Sequence, residues 1–351
     1  MKSDNKTVFV GVSGGVDSSV SAALLKEQGY NVVGVFIRTW QPDFIECTWR
    51  DERRDAMRVC AHLDIPFLEC DAEEVYKKNV ADYMIEEYKK GNTPNPDVMC
   101  NREVKFGIFW EFAKEHGADY IATGHYAINK KNLLYKSNDK TKDQSYFLWT
   151  LTAEDLSHTL FPIGHLQKTE VRKLAKKYKL PTAIKKDSQG VCFLGPLDMK
   201  DFLMHYIESK QGDVLDKDGK VIGSHDGAVF FTLGERHGFI INKHSTDDAP
   251  VYVINKDIKK NTITVSPSIN SLENIDREKF KIKNVNWIFE PILDKEYTAQ
   301  VRYHGDLLLC KIKIENISEA SVIFKNPTIV SPGQSIVVYD NDICLGGGVV
   351  V

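Results

Sequence analysis

No Cys-x-x-Cys pair occurs in this 351-residue chain, and its seven cysteines are odd in number and widely scattered. That pattern excludes a structural disulfide framework, a cysteine-rich zinc site and a thioredoxin-type redox pair. Long apolar runs are missing too. None approaches the roughly 20 residues of a membrane span, and the polar start Met1-Lys2-Ser3-Asp4-Asn5 has neither the apolar core of a signal peptide nor an arginine-rich presequence. The sequence therefore predicts a cytoplasmic protein with reduced thiols and no membrane partner. Nor does charge of one sign dominate, with 46 Lys and Arg against 49 Asp and Glu. A polyanionic partner would have to be held by local patches. Residues 168–186 form one, with eight basic residues against the single Glu170, although a solvated helix face explains that run equally well.

What is present is an ordinary globular composition, 42% hydrophobic and 27% charged, enough for two or three domains. From residue 7 to about 122, strand-like and helix-like runs alternate: strands at 7–12, 31–37, 66–70 and 120–122, with helices to 28, through 62, to 88 and over 103–116. This alternation predicts an α/β fold with a doubly wound parallel sheet, whose ligand crevice lies at the carboxyl ends of its strands. Residues 145–205 read as a basic, helical extension. Past residue 210 come short β-branched runs at 214–215, 221–222, 228–233, 250–254 and 262–265, then 297–303, 307–314, 320–324 and 334–339. They predict two small β-rich domains, the last a β-barrel. The expected boundaries are 1–208, 209–281 and 282–351.

The run Gly11-Val12-Ser13-Gly14-Gly15-Val16-Asp17-Ser18 stands where the first strand hands over to the first helix. Two adjacent glycines let the backbone approach an anion closely, while Ser13, Ser18 and the first helical amides offer donors. A Walker loop would carry a lysine before its last serine; this one does not. The pattern Ser-Gly-Gly-x-Asp-Ser resembles the PP-loop of ATP pyrophosphatases, which act at the α-phosphate and release pyrophosphate. Asp17 could orient Mg²⁺ or cap the helix.

Two cysteines stand in settings that favour a thiolate. Cys100 ends a segment with two prolines, Asn92-Thr93-Pro94-Asn95-Pro96-Asp97-Val98-Met99-Cys100, before a helix expected to start near Arg102; that setting favours thiolate. Cys192 follows Lys185, Lys186 and the flexible Gly190. Cys60, Cys70, Cys310, Cys344 and, more loosely, Cys47 read as small buried hydrophobes.

With these segments the chain resembles the bacterial tRNA-specific 2-thiouridylases along almost its whole length. The resemblance rests on the PP-loop, residues 91–101, Ile121 to Tyr126, Lys142-Asp143-Gln144-Ser145-Tyr146-Phe147-Leu148, residues 185–193, Pro332-Gly333-Gln334 and Leu345-Gly346-Gly347-Gly348. Ile37 to Trp40 and Gly234-Glu235-Arg236 depart from the commoner family forms at single positions. The resemblance implies ATP, with Mg²⁺, held by Gly11 to Ser18, Ile37 and Gly124. It implies tRNA held by Asn95, Pro96, Asp97, His125, Lys142, Asp143, Gln144, Arg302, Tyr303 and Gln334, with Asp97 beside the target base. It makes Cys192 the persulfide carrier, loaded by a cysteine desulfurase or sulfur-relay protein, and Cys100 the partner nucleophile. Arg302 and Tyr303 also read as an ordinary strand pair. Three rival readings remain open on the residues alone: another PP-loop ligase or synthetase, a non-catalytic tRNA-binding relay protein, and an iron-sulfur cluster on Cys100, Cys192 and a third ligand such as Asp97.

Overall fold

Valine-rich runs build the first strands of this computed structural model, which describes residues 6–45, 49–186, 198–242, 249–267 and 278–351. In chain order the first domain holds β1 (Thr7–Gly11), α1 (Val16–Glu27), β2 (Asn31–Arg38), α2 (Trp49–Leu63) and β3 (Phe67–Asp71). Next come α3 (Glu73–Tyr76) and α4 (Tyr83–Lys89), joined by a π-helical turn, then α5 (Pro96–Cys100), a second π-helical stretch Asn101–Ile108, and α6 (Phe109–Glu115). β4 (Tyr120–Ala122), the hairpin β5 (Ala127–Lys130) and β6 (Leu133–Lys136), α7 (Ala153–Ser157), β7 (Thr159–Leu160), α8 (Lys168–Lys177) and α9 (Met199–Met204) complete it. The sheet is wholly parallel in the order β3-β2-β1-β4-β7. Val8, Phe9 and Val10 are at most 2% exposed, as strands covered on both faces must be. The order reverses between β1 and β4, so the crevice opens at their carboxyl ends. The glycine loop follows β1 and Gly124 follows β4, on the two sides of that opening.

The central domain is a five-stranded sheet of β8 (Gly212–Leu215), β9 (Val221–His225), β10 (Phe239–Ile241), β11 (Tyr252–Asp257) and β12 (Thr262–Ser266), antiparallel except for the β8–β12 pair. β13 (Lys279–Trp287), β14 (Glu296–Gln300), β15 (Leu308–Asn316), β16 (Glu319–Phe324), β17 (Ser335–Asp340) and β18 (Ile343–Val350) close into a six-stranded antiparallel barrel through β13 and β18. The hairpin β5–β6 extends the barrel sheet by pairing Cys344 with Leu134. One apolar cluster joins Ile121, Leu134 and Trp149 of the first domain to Val337, Tyr339 and Cys344 of the barrel.

Several elements differ from expectation. The helix expected over 103–116 starts at Pro96, because Asn95 Oδ1 accepts from the amides of Asp97 (3.1 Å) and Val98 (3.3 Å) and proline suits the first helical position. Cys100 thus lies inside the helix, not ahead of it, and the helix-start argument for its thiolate does not apply. Residues 228–233 are no strand: a 3-10 turn occupies Ala228–Phe230, sending Phe230 into the cluster around Cys100 and Phe231 into the central core. β14 stops at Gln300, so Arg302 and Tyr303 are not a strand pair. They sit on a turn closed by the Gly305 amide on Arg302 O at 2.9 Å, with His304 in the left-handed region.

Candidate nucleotide and thiol site

The glycine loop is held open by its own backbone and serines. Gly14 has φ +70, and a Cβ there would lie 2.6 Å from Glu52 O, so only glycine fits. Ser18 Oγ accepts from the Ser13 amide at 3.3 Å and lies 3.3 Å from Ser13 Oγ, while Ser19 Oγ donates to Gly15 O at 2.6 Å. Gly15 precedes α1 without a side-chain cap, leaving the amides of the first turn pointed at the crevice. From the other side Gly124 presses on the same turn: a Cβ there would sit 2.6 Å from Ser18 N. Ile37 lies beside Gly11, its Cδ1 3.6 Å from where a Gly11 Cβ would be. Val12 is buried, its amide on Val35 O at 2.8 Å.

Asp17 does not serve as a cap. Both its oxygens accept from Lys168 Nζ at 2.8 Å, and Oδ1 also accepts from Tyr126 OH at 2.9 Å. Composition gave no sign of this, because Lys168 opens the basic run and reads as a surface residue. Tyr126 carries the linkage onward: its amide donates to Gln144 Oε1 at 3.0 Å, and its carbonyl accepts from the Gln144 amide at 2.8 Å.

Beyond Gln144 lie the groups around Cys100. Asn101 Nδ2 donates to Phe147 O at 3.1 Å, and the Tyr146 hydroxyl donates to Ser335 O of the barrel at 3.1 Å. Asp143 anchors this turn, accepting from the Ser137 amide at 2.7 Å and from Ser145 Oγ at 2.7 Å; the Lys142 amide donates to Asp139 O at 3.0 Å. The barrel contributes Tyr303, with its ring 4.4 Å from Phe147. Burial, reinforced by the charges of Asp143 and Asp97, pushes the Tyr303 phenol up to about 12. Asp97 is half-buried behind the buried Pro96; burial raises its carboxyl against the pull of Lys105. His125 is buried, its Nδ1 2.7 Å from Thr123 Oγ1, with Phe106 and Phe161 beside its ring. Burial, aided by Lys105, holds it well below the ordinary imidazole range.

A second convergence lies at Thr93, two residues before Asn95. Its amide donates to Pro332 O at 2.7 Å, its hydroxyl meets Thr232 Oγ1 at 3.3 Å, and a Cβ on Gly333 would be 2.9 Å from Thr93 N. Gln334 Oε1 fixes that barrel turn by accepting from Ser331 N at 2.9 Å. All three domains meet where the Cys100 helix begins.

Cys192 and Cys47 lie outside the described residues. Of the residues flanking 187–197, Lys185 places Nζ 2.8 Å from Asp55 Oδ2, against the glycine loop, and Arg172 holds the Ala183 and Lys185 carbonyls. On the far side Phe202 and Leu203 of α9 share a buried cluster with Cys100. The described flanks therefore stand beside the nucleotide loop and beside Cys100. Among the described residues no three His, Cys, Asp or Glu converge as a metal site, and no helix is long and apolar enough to cross a membrane.

Family profiles described as tRNA methyl transferase HUP domain, tRNA methyl transferase PRC-barrel domain and aminomethyltransferase beta-barrel domain match residues 6–196, 200–267 and 277–350. The tRNA-specific 2-thiouridylase MnmA of Bacillus subtilis (strain 168) is 42% identical, covering 99% of this chain and 95% of that relative. The protein of the same name from Buchnera aphidicola is 43% identical over 99% of this chain and 97% of that one, and the one from Francisella philomiragia is 39% identical over 99% of each. Among solved structures, a 4-thiouridine synthetase in complex with RNA and bound ATP aligns at TM-score 0.35 and 20% identity, over 54% of this chain and 45% of that one. The U34-tRNA thiolase NcsA from Methanococcus maripaludis aligns at TM-score 0.37 and 22% identity, over 54% and 61%.

Proposed function

The chain belongs to the tRNA-specific 2-thiouridylase family, and from that premise we propose that it exchanges the C2 oxygen of a tRNA wobble uridine for sulfur in the cytoplasm. The carrying observation is the hydrogen-bonded path from the glycine loop through Asp17, Tyr126 and Gln144 to the turn that touches the Cys100 helix. It supports reading the glycine loop and Cys100 as parts of one site.

In this reading a C2 carbonyl oxygen is too poor a leaving group to be replaced directly. ATP supplies the adenylyl group that turns it into one, and Gly11 to Ser18, Ile37 and Gly124 position the nucleotide. The wobble base is extruded from its stack, as base-modifying enzymes require, into a pocket formed by Asn95, Pro96 and Asp97. The raised Asp97 carboxyl suits proton transfer at the base. The Cys100 thiolate attacks the Cys192-bound sulfur of a Cys192 persulfide, closing a transient disulfide and releasing the outer sulfur as sulfide, which adds at C2 of the adenylated base and expels AMP. An external reductant reopens that disulfide. Asp17 is the loop's candidate Mg²⁺ ligand, but Lys168 and Tyr126 already engage its carboxylate, so in this arrangement it does not fit the ion.

His125, Lys142, Asp143, Gln144, Arg302, Tyr303 and Gln334 we assign to tRNA. Asp143, Gln144 and Gln334 spend side-chain bonds on turns, so they shape the surface that tRNA meets, while the half-exposed Tyr303 offers a stacking face. We assign the unit at 1–208 to catalysis, the unit at 209–281 to bracing and the unit at 282–351 to tRNA docking, with the barrel itself beginning at β13 (Lys279–Trp287). A persulfide-bearing cysteine desulfurase or relay protein is the sulfur source. Nucleosides from cells lacking this gene test the reading: 2-thiolated wobble uridine disappears and returns with the wild-type gene but not with Cys100→Ser. Unchanged 2-thiouridine in the deletion contradicts it.

A further inference from the structure

We propose that Lys168 is the cation that receives the departing pyrophosphate, a role the loop itself cannot fill because it has no lysine. The inference rests on the PP-loop reading above.

Three observations converge on this side chain. Its backbone is fixed: the Lys168 amide donates to Asp139 Oδ2 at 2.8 Å, and Asp139 is itself 5% exposed and bonded to the Thr141 amide and hydroxyl. The side chain does not follow the exposed Lys173, Lys176, Lys177 and Lys179 of the basic run into solvent. It crosses the Tyr126 ring, with Nζ 5.7 Å from the centroid, and grips both oxygens of Asp17 in the first turn of α1. The pair still opens to the crevice, with side-chain exposures of 15% for Lys168 and 30% for Asp17.

A carboxylate among the first amides of a phosphate-binding helix would repel a polyanion. Lys168 cancels that charge, and its ammonium stands at the first turn of α1, whose amides have no side-chain cap. When the uridine oxygen attacks the α-phosphorus, the bond from that phosphorus to the oxygen bridging the β-phosphate breaks. The electron pair stays on pyrophosphate, and the uracil N3 proton leaves to solvent. Negative charge builds on the leaving group, and a charge-assisted bond from Lys168 offsets it there. Lysine suits this task, being a compact charge on a flexible stem.

Equilibrium binding to the full-length protein without tRNA tests the assignment, with ATP, pyrophosphate and AMP as separate probes. Lys168→Met weakens ATP and pyrophosphate about 10-fold or more while AMP binding holds, and Lys168→Arg restores most of the loss. Equal weakening of all three probes, or no change in any, overturns the assignment and makes the lysine a strut between α8 and α1. Should Lys168→Met fail to fold, Asp17→Asn serves instead: it releases the ammonium and removes an anion, so pyrophosphate binds several-fold tighter, and unchanged or weaker binding overturns the proposal. A wild-type protein that binds neither ATP nor pyrophosphate sinks the PP-loop reading itself. One that binds both, beside a Lys168→Met that binds them equally well, sinks only the role of Lys168.

Discussion

Burial sets the chemistry of four cysteines. Burial pushes the thiols of Cys60 and Cys70 up to about 11 and those of Cys310 and Cys344 up to about 12, so they carry almost no thiolate at neutral pH. Iodoacetamide on the native protein at pH 8 should leave all four unmodified, as peptide mapping will show; rapid labelling of any would contradict their role as packing residues. His125 gives a pH signature of its own. Folded, it stays neutral well below the ordinary imidazole value, whereas the unfolded chain takes up the proton near pH 6.5. The unfolded state therefore binds more protons in that window, and this contribution to stability, full above pH 6.5, is lost as pH falls toward the folded value. Melting curves from pH 7.5 to 5 should show a smaller decline for His125→Gln than for the wild type. Parallel slopes would deny the desolvated imidazole.

At the scale of elements, close approach decides what the crevice tolerates. Gly124→Ala drives a methyl group into Ser18 N and Asp17 C, displacing the first turn of α1. Overpacking of this kind costs about 1–3 kcal/mol, so ATP affinity should fall about 10- to 100-fold by calorimetry; wild-type affinity would show that Gly124 does not shape the site. The parallel sheet, the glycine loop and the barrel were legible because continuous apolar runs, alternating apolar runs and adjacent glycines are local signals. The hairpin β5–β6 was not, because Lys131 and Asn132 supply its two positive-φ residues in place of the usual Asn-Gly. β18 hid behind Gly346 to Gly348, where Gly346 meets Asn286 O so closely that no side chain fits. The start of α5 was misplaced because Pro94 and Pro96 read as loop formers, while Asn95 and Pro96 together start a helix. The Lys168 ion pair with Asp17 spans 151 residues, and no sequence pattern encodes a contact at that distance.

For the whole molecule the junction at Thr93 ties the three domains together where the Cys100 helix begins. Gly333→Ala is strained at φ +89 and collides with Thr93 N, so the barrel must shift from the start of the Cys100 helix. The predicted outcome is a loss of about 10- to 100-fold in kcat/KM for tRNA with ATP affinity unchanged. Equal losses in both would mean that the junction is only a stability device. The proposed sulfur transfer requires two thiols to meet, Cys100 in α5 and Cys192 between residues 186 and 198. The decisive experiment is a single turnover of persulfide-loaded enzyme with tRNA and ATP, quenched by alkylation and mapped by mass spectrometry. One Cys100–Cys192 disulfide should form for each 2-thiouridine, and neither in Cys100→Ser; 2-thiouridine made by Cys100→Ser at the wild-type rate, with no disulfide, would rule out the two-thiol step.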